Sequence, residues 1–443
     1  MTGIFKAYDI RGKYTGELNE DIAKDIGKAI ATFLQTDTIV VGRDNRISSD
    51  SIFSSLTQGI RELGVSIVDI GVVSTPMAYF AVNHLDKKGL IMVTASHNSK
   101  EYNGFKLTRE KAIPISGETG IADIERLFFS KEFKRFSQNQ GRIETISVEK
   151  EYFTHLSKFV KGIAGLKVVV DCGNGVMGPL VHEFFSHLYI EMIPLHFERD
   201  GNYPFHDPNP MILSNVKELQ EAVKSNGANL GIAFDGDGDR VVFVDDKSAI
   251  VPSDFVTALL AEQLVKPGDI VLYDLRSSWV VKETIQSLRG KAEMSKVGHS
   301  LIKEHMRKVN AVFAGELSGH YYFRDNFFTD SGFITALEIM SLVSSKGKLS
   351  QLVKPLQKYV KIQETNFEVE NPDEVLKCIE ERYSSLKTIR LDGISIESDQ
   401  FWFNIRKSNT EPIVRLNMEA KRKDILEKIK KELAEVIGGK FLP

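Results

Sequence analysis

Three times along this chain the same order recurs: an apolar strand ending in aspartate, a second apolar strand, and a third whose exit is crowded with polar residues. The first pass runs through TIVVGRD (to Asp44), VSIVDIG and LIMVTASHN. The second runs through LKVVVD (to Asp171), YIEMIPL and NLGIAFDGDGD, and the third through DIVLYD (to Asp274), KAEMSKVG and NAVFAGELSGH. Helical segments fill the gaps; residues 49–63 place Ile52, Phe53, Leu56, Ile60 and Leu63 on one face and stop at Gly64. Such alternation predicts mostly parallel sheets covered on both faces, with ligands gathering at the carboxyl ends of the strands.

From about residue 365 the rhythm changes. A strand (NFEVE), a helix over 372–383, two or three strands through WFNIRKSNTEPIVRLNMEA and a charged helix over 423–436 predict a separate α+β domain. At 443 residues the chain exceeds one ordinary domain, and the expected division is 1–146, 147–247 and 248–361 as three related α/β domains with 362–443 as the fourth. Lys and Arg number 57 against 60 Asp and Glu, so a formal charge of −3 offers no long-range pull on nucleic acid or an anionic membrane. A small-molecule ligand is expected instead. Cys172 and Cys378 cannot build a disulfide framework, MTGIFKAYDIRG lacks the apolar core of a secretion signal, and no apolar run approaches a membrane span, which makes the cytoplasm the expected compartment.

The second unit ends in Asp235-Gly236-Asp237-Gly238-Asp239, closed by Arg240 and flanked by LGIAF and VVFV. Carboxylates are hard oxygen ligands, and the glycines let the backbone fold three of them toward one point; a small divalent cation, Mg2+, is expected. A calcium loop of the EF-hand type fails because its sixth position must be glycine and is Arg240, and because the flanks read as strands where helices are needed. A solvated acidic turn is the bland alternative.

The first unit exits through TASHNSKEYNGFK, where Ser96 leaves a strand beside His97 and Asn98, with Lys106 downstream. A phosphorylated serine would carry roughly −1.5 to −2 charge and could complete the ligand set of an ion held by three aspartates. The third unit exits through GELSGH, exposing Glu316, Ser318 and His320, which suits sugar hydroxyls; His320 could also move a proton. Gly298-His299-Ser300 reads as a helix start that would favour an anion. In the last domain Arg406, Lys407, Ser408, Asn409, Thr410 and Arg415 gather cations and hydroxyls fit for phosphate. Gly173-Asn174-Gly175-Val176-Met177-Gly178 matches the dinucleotide fingerprint, with Glu198 downstream, and makes an NAD-dependent oxidoreductase an alternative.

Tyr8-Asp9-Ile10-Arg11-Gly12, TASHNSKEYNGFK, DGDGDR, GELSGH and SNTEP, in this order, resemble the α-D-phosphohexomutase family over the whole chain, and most closely its phosphomannomutase/phosphoglucomutase group. The resemblance implies three α/β domains and a C-terminal domain like the TATA-box binding protein around a central cleft. It implies phosphoserine at Ser96, Mg2+ on Asp235, Asp237 and Asp239 with Ser96, and Arg11 and Lys106 assisting transfer. Arg240, Arg276, His299, Glu316 and Ser318 would contact the sugar phosphate, and Arg406, Ser408, Asn409, Thr410 and Arg415 would hold the phosphate that is not reacting. The implied reaction interconverts hexose 1- and 6-phosphates through a 1,6-bisphosphate, with Lys106 or His320 as base. Two positions depart from the family pattern: Ser99 stands in place of proline, and Arg276 in place of lysine. An aminosugar phosphomutase and a non-catalytic sugar-phosphate binding protein are the alternatives. The residues leave oligomeric state and the mannose or glucose preference open.

Overall fold

The computed structural model describes residues 3–407 and 413–442. In each α/β unit the repeated pattern starts from a strand inside the sheet: Thr38–Arg43, Ala164–Asp171 and Ile270–Asp274. Each of these pairs in parallel with the next strand on one side (Ser66–Val72, Tyr189–Leu195, Lys291–Ser295) and with the third on the other (Gly89–Val93, Leu230–Phe234, Phe313–Gly315). The third strand then turns back into an antiparallel partner: Tyr102–Arg109, Val241–Val244 or Tyr321–Phe323. The three polar exits singled out in the sequence are therefore one topological position repeated three times. All lie at the carboxyl end of a central parallel strand, where such sheets bind ligands.

Side-chain alternation shows why these strands sit in the interior. Val40, Val168, Val170 and Val271 face a large core shared by the three units, whereas Ile39 and Val41, Val169, and Leu272 face three smaller cores on the opposite sheet faces. With both faces buried, a period-two apolar run becomes nearly continuous. The expected helix over 49–63 spans Ser49–Glu62, with Ile52, Leu56 and Ile60 buried. The shared core fixes the three exits relative to one another.

The last domain is an antiparallel sheet in the order Lys387–Ile389, Ile394–Glu397, Phe401–Lys407, Ile413–Ala420, Thr365–Glu368, Lys440–Leu442. Helices Pro372–Arg382 and Lys423–Ile437 contribute Ile379, Leu426, Ile429 and Leu433 to its core. The α+β expectation and both helix positions hold. No helix among the described residues is long and apolar enough to cross a membrane.

Candidate active site

Ser96 sits three residues beyond the end of strand Gly89–Val93, 1% exposed, with φ at +53°. A left-handed backbone is costly for a non-glycine residue and needs support from its surroundings. Support comes from below: Arg46 donates from Nη2 to the carbonyls of Ser96 and Asn98 (2.7 Å each) and from Nη1 to those of Ser99 (2.7 Å) and Tyr102 (3.1 Å). Its Nε is anchored on Asp44 (3.0 Å). Thus held, Ser96 Oγ donates to Asp235 Oδ2 at 3.1 Å. Arg11, on the edge strand Ile10–Lys13, reaches the same loop through Asn98 Oδ1 (2.6 Å).

The acidic turn lies between strands Leu230–Phe234 and Val241–Val244, not between helices, which removes the EF-hand alternative. A Cβ at Gly236 would come within 2.8 Å of the Ser96 carbonyl, and Gly238 has φ +76°, so the glycines allow both the close approach and the tight return. Asp235, Asp237 and Asp239 are each at most 1% exposed, with ligand oxygens within 4.8 Å of one another. Lys106 ion-pairs with Oδ2 of Asp237 (2.7 Å) and with Oδ2 of Asp239, and Thr75 Oγ1 donates to Asp237 Oδ2 (2.6 Å). Oδ1 of Asp237 and Oδ1 of Asp239 are buried without a hydrogen-bond partner among the described residues. Orphaned buried oxygens beside a third carboxylate and a serine hydroxyl fit a small cation that prefers oxygen.

Electrostatics agree. Burial and the charges of Asp239 and Asp237 push the Asp235 carboxyl well above its usual range, the strain a bound cation would relieve. Burial alone would lower the Lys106 pKa, but Asp237 and Asp239 outweigh it and hold the ammonium form.

The third exit closes the site. His320 Nε2 lies 3.4 Å from Asp239 Oδ1 and 3.3 Å from Arg240 Nε, and its Nδ1 lies 2.9 Å from Ser318 Oγ. Burial pulls the imidazole pKa down, Asp239 pushes it up, and the net position is about 9. Glu316 accepts from Tyr322 Oη (2.9 Å) and from the backbone N–H of Gly298 (3.2 Å). His299 opens the helix His299–Val309, as expected, and burial holds its ring neutral.

Four family models cover almost the whole chain: phosphoglucomutase/phosphomannomutase alpha/beta/alpha domains I, II and III match residues 2–135, 150–248 and 252–359, and the C-terminal domain matches 364–436. The chain belongs to the phosphoglucomutase/phosphomannomutase family. It is a phosphohexomutase, an isomerase of sugar phosphates. The phosphomannomutase of Escherichia coli strain K12 is 41% identical over 431 residues, covering 94% of each chain. The phosphohexose mutases of Xanthomonas campestris pv. campestris strain B100 are 38% identical over 444 residues, covering 98% of this chain and 99% of theirs. A crystal structure of a phosphoglucomutase/phosphomannomutase family protein from Burkholderia thailandensis superposes with a TM-score of 0.92 at 31% identity, covering 99% of each chain.

Within this phosphohexomutase the remaining expected residues gather around Glu364. Arg406 Nη2 lies 3.1 Å from Glu364 Oε2, and Arg415 Nη1 and Arg276 Nη1 each lie 3.8 Å from the Glu364 carboxylate. Three guanidinium groups from two domains thus converge on one carboxylate in the linker between them. Arg276, read from sequence as a substrate contact, spends Nε and Nη2 on Asp274 (3.2 and 2.8 Å). Ser408, Asn409 and Thr410 lie outside the described residues.

The dinucleotide fingerprint has a different purpose. A Cβ at Gly175 would meet the Gly236 carbonyl at 2.6 Å and one at Gly178 the Phe197 carbonyl at 1.9 Å, while the Val176 N–H donates to Gly236 O (3.1 Å). The acidic turn fills the place a pyrophosphate would need. Sequence reasoning missed Arg46, Thr75 and Glu364. Arg46 had a signal, since Asp44-Asn45-Arg46 repeats the spacing of Asp274-Leu275-Arg276; Thr75 and Glu364 had none.

Proposed function

We propose that this phosphohexomutase interconverts hexose 1-phosphate and hexose 6-phosphate, with mannose and glucose as the sugars, through phosphoserine at Ser96 and a hexose 1,6-bisphosphate. The single observation carrying this reading is the Ser96 Oγ to Asp235 Oδ2 distance of 3.1 Å, which supports a serine nucleophile beside the three-aspartate group. The printed name of the Escherichia coli relative, phosphomannomutase, supports mannose among the substrates. Mg2+ is the ion we assign to Asp235, Asp237 and Asp239; when bound it supplies charge neutralisation to phosphoryl oxygens.

The chain's own residues account for the rest. An acceptor hydroxyl of the sugar attacks phosphorus as the bond to Ser96 Oγ breaks, and the hydroxyl proton passes to His320. Asp239 is the charge that raises the His320 pKa to about 9, so with that carboxylate taken up by the cation the imidazole would return toward its ordinary range near neutrality and could accept the proton, whereas Lys106, paired with Asp237 and Asp239, keeps its proton and meets phosphoryl oxygens as a fixed charge. Arg11, next to the serine loop, and Arg240, next to His320, face the same charge. Glu316 and Ser318 accept and donate to sugar hydroxyls. Arg406, Arg415 and Arg276, with Ser408, Asn409 and Thr410, hold the distal phosphate, and His299 lines the path between. The bisphosphate then reverses, and Ser96 recovers the opposite phosphoryl group. With the domain limits taken near 146, 247 and 361, each domain would contribute one functional loop.

A coupled assay with mannose 1-phosphate and glucose 1-phosphate, each primed with bisphosphate, tests the reading together with intact mass. Turnover of both sugars and a phosphate-heavy population discharged by substrate are expected. Turnover with no phosphorylated protein at any stage would reject the Ser96 route.

A further inference from the structure

In the first and third α/β units the aspartate ending the opening strand meets an arginine two residues on: Arg46 Nε is 3.0 Å from Asp44, and Arg276 Nη2 is 2.8 Å from Asp274. The second unit breaks that rule. Two residues beyond Asp171 stands Gly173, which offers only a backbone N–H to Oδ1 (2.9 Å). The Asp171 carboxylate, 1% exposed, faces two imidazoles instead, and ligand atoms of Asp171, His196 and His206 lie within 4.8 Å of one another. A buried carboxylate left without a cation is strongly unfavourable, so the guanidinium of the other units needs a replacement here.

Hydrogen bonding defines its place. His206 Nδ1 lies 2.8 Å from the Asp207 carbonyl, which can only accept, so that nitrogen carries a proton. On a neutral ring the lone pair then sits on Nε2, 3.1 Å from Asp171 Oδ2, acceptor facing acceptor. A cation has to stand between them. One added proton on His206 would do so, but it leaves the second imidazole unexplained. His196 packs edge-on to His206 with centroids 5.3 Å apart, stacked on Phe205 at 4.1 Å and with Nε2 3.0 Å from Glu218. An oxygen acceptor on one ring nitrogen, orienting the other, is the usual surrounding of metal-bound histidine.

We propose that Asp171, His196 and His206 form a second cation site, for a divalent transition metal of the zinc class, separate from the three-aspartate group. Two imidazole nitrogens and one carboxylate oxygen suit zinc and cobalt, while Mg2+ selects oxygen alone. The His206 side chain keeps 14% exposure, which provides entry. Its segment also touches the acidic turn, since the Gly236 N–H donates to the Pro208 carbonyl (3.2 Å). An ion at this place braces that segment from behind.

The test uses the full chain stripped of metal, saturated with Mg2+, and titrated with ZnCl2 by calorimetry and with CoCl2 by visible absorption. One equivalent should bind despite the Mg2+, with the visible bands of imidazole-ligated cobalt. It should survive in Asp237→Asn and disappear in both His206→Gln and His196→Gln, whose folding is checked by circular dichroism. Wild-type protein showing neither an Mg2+-resistant equivalent nor cobalt bands overturns the proposal without recourse to any variant. Retention in both histidine variants overturns it as well, and so does loss in Asp237→Asn, which would put the ion on the three aspartates.

Discussion

Ser96 Oγ and Asp235 Oδ2 stand 3.1 Å apart although 139 positions separate them in the chain. The contact joins the exit of the first α/β unit to that of the second. It exists because both exits occupy the same place in a repeated topology and face one cleft. Removing the hydroxyl should therefore stop chemistry while leaving packing nearly intact. Ser96→Ala is expected to lower kcat by about 10⁴-fold or more, with a stability change within about 1 kcal/mol, because only the hydroxyl's contacts with Asp235 (3.1 Å) and, at 3.4 Å, with His97 are lost. The coupled assay and a thermal melt check both halves, and substantial turnover by this variant would remove the serine from the mechanism.

Arg46 has no expected contact with substrate, yet four carbonyls of the serine loop depend on it. Lysine cannot reproduce a planar fork that binds several carbonyls while anchored on Asp44. Arg46→Lys should destabilise the protein by about 2–3 kcal/mol through unsatisfied buried carbonyls, and should lower kcat by roughly 100-fold as the serine drifts. A chemical melt and steady-state kinetics with saturating substrate report the two effects; an unchanged kcat would mean that the loop holds its shape without the strap.

With Mg2+ the decisive atoms are Oδ1 of Asp237, buried without a hydrogen-bond partner among the described residues, and Oδ1 of Asp239, which His320 Nε2 approaches to 3.4 Å. Asp237→Asn replaces one of these charged acceptors by a neutral amide. Mg2+ affinity should fall by more than about tenfold, equivalent to about 1.4 kcal/mol. Calorimetric titration measures it directly, and an unaltered isotherm would move the ion elsewhere.

His320 gives the metal-free protein a pH signature. Its pKa in the folded state, about 9, is above the ordinary value of ~6.5 for an unfolded histidine. A raised pKa stabilises the fold fully below the unfolded value, and that contribution is lost as pH rises through the folded value. Melting temperatures of chelator-treated protein should thus decline between about pH 6.5 and 9, by an amount on the order of 3 kcal/mol at most. His320→Asn should flatten the decline, and so should added Mg2+, which competes for Asp239. A slope of the same size in the variant would assign it to other groups.

Arg406 meets Glu364 at 3.1 Å, and the grip we assign to it on a distal phosphate is equal in the ground and transition states. Arg406→Ala should raise KM by about 10–100-fold, the value of one charged hydrogen bond, with a much smaller change in kcat. Equal losses in kcat and kcat/KM would place this arginine at the reacting end instead.

The local devices were legible in the chain itself: three strands ending in aspartate, a helix stopped by Gly64, glycines alternating with acids, and the change of rhythm near residue 365. These follow from short-range physics, since strand periodicity, turn chemistry and ligand type are set by neighbours in sequence. Tertiary structure alone decided what each device faces. Arg46 and Arg276 share one spacing after a strand-end aspartate, but one holds a loop of carbonyls and the other turns to Glu364. The glycines of 173–178 match a cofactor fingerprint, but the backbone of Gly236 occupies the space they open. Residue type and spacing determine which groups a segment can offer; only the packing of the shared core determines which distant groups arrive opposite them, because that depends on where whole sheets settle.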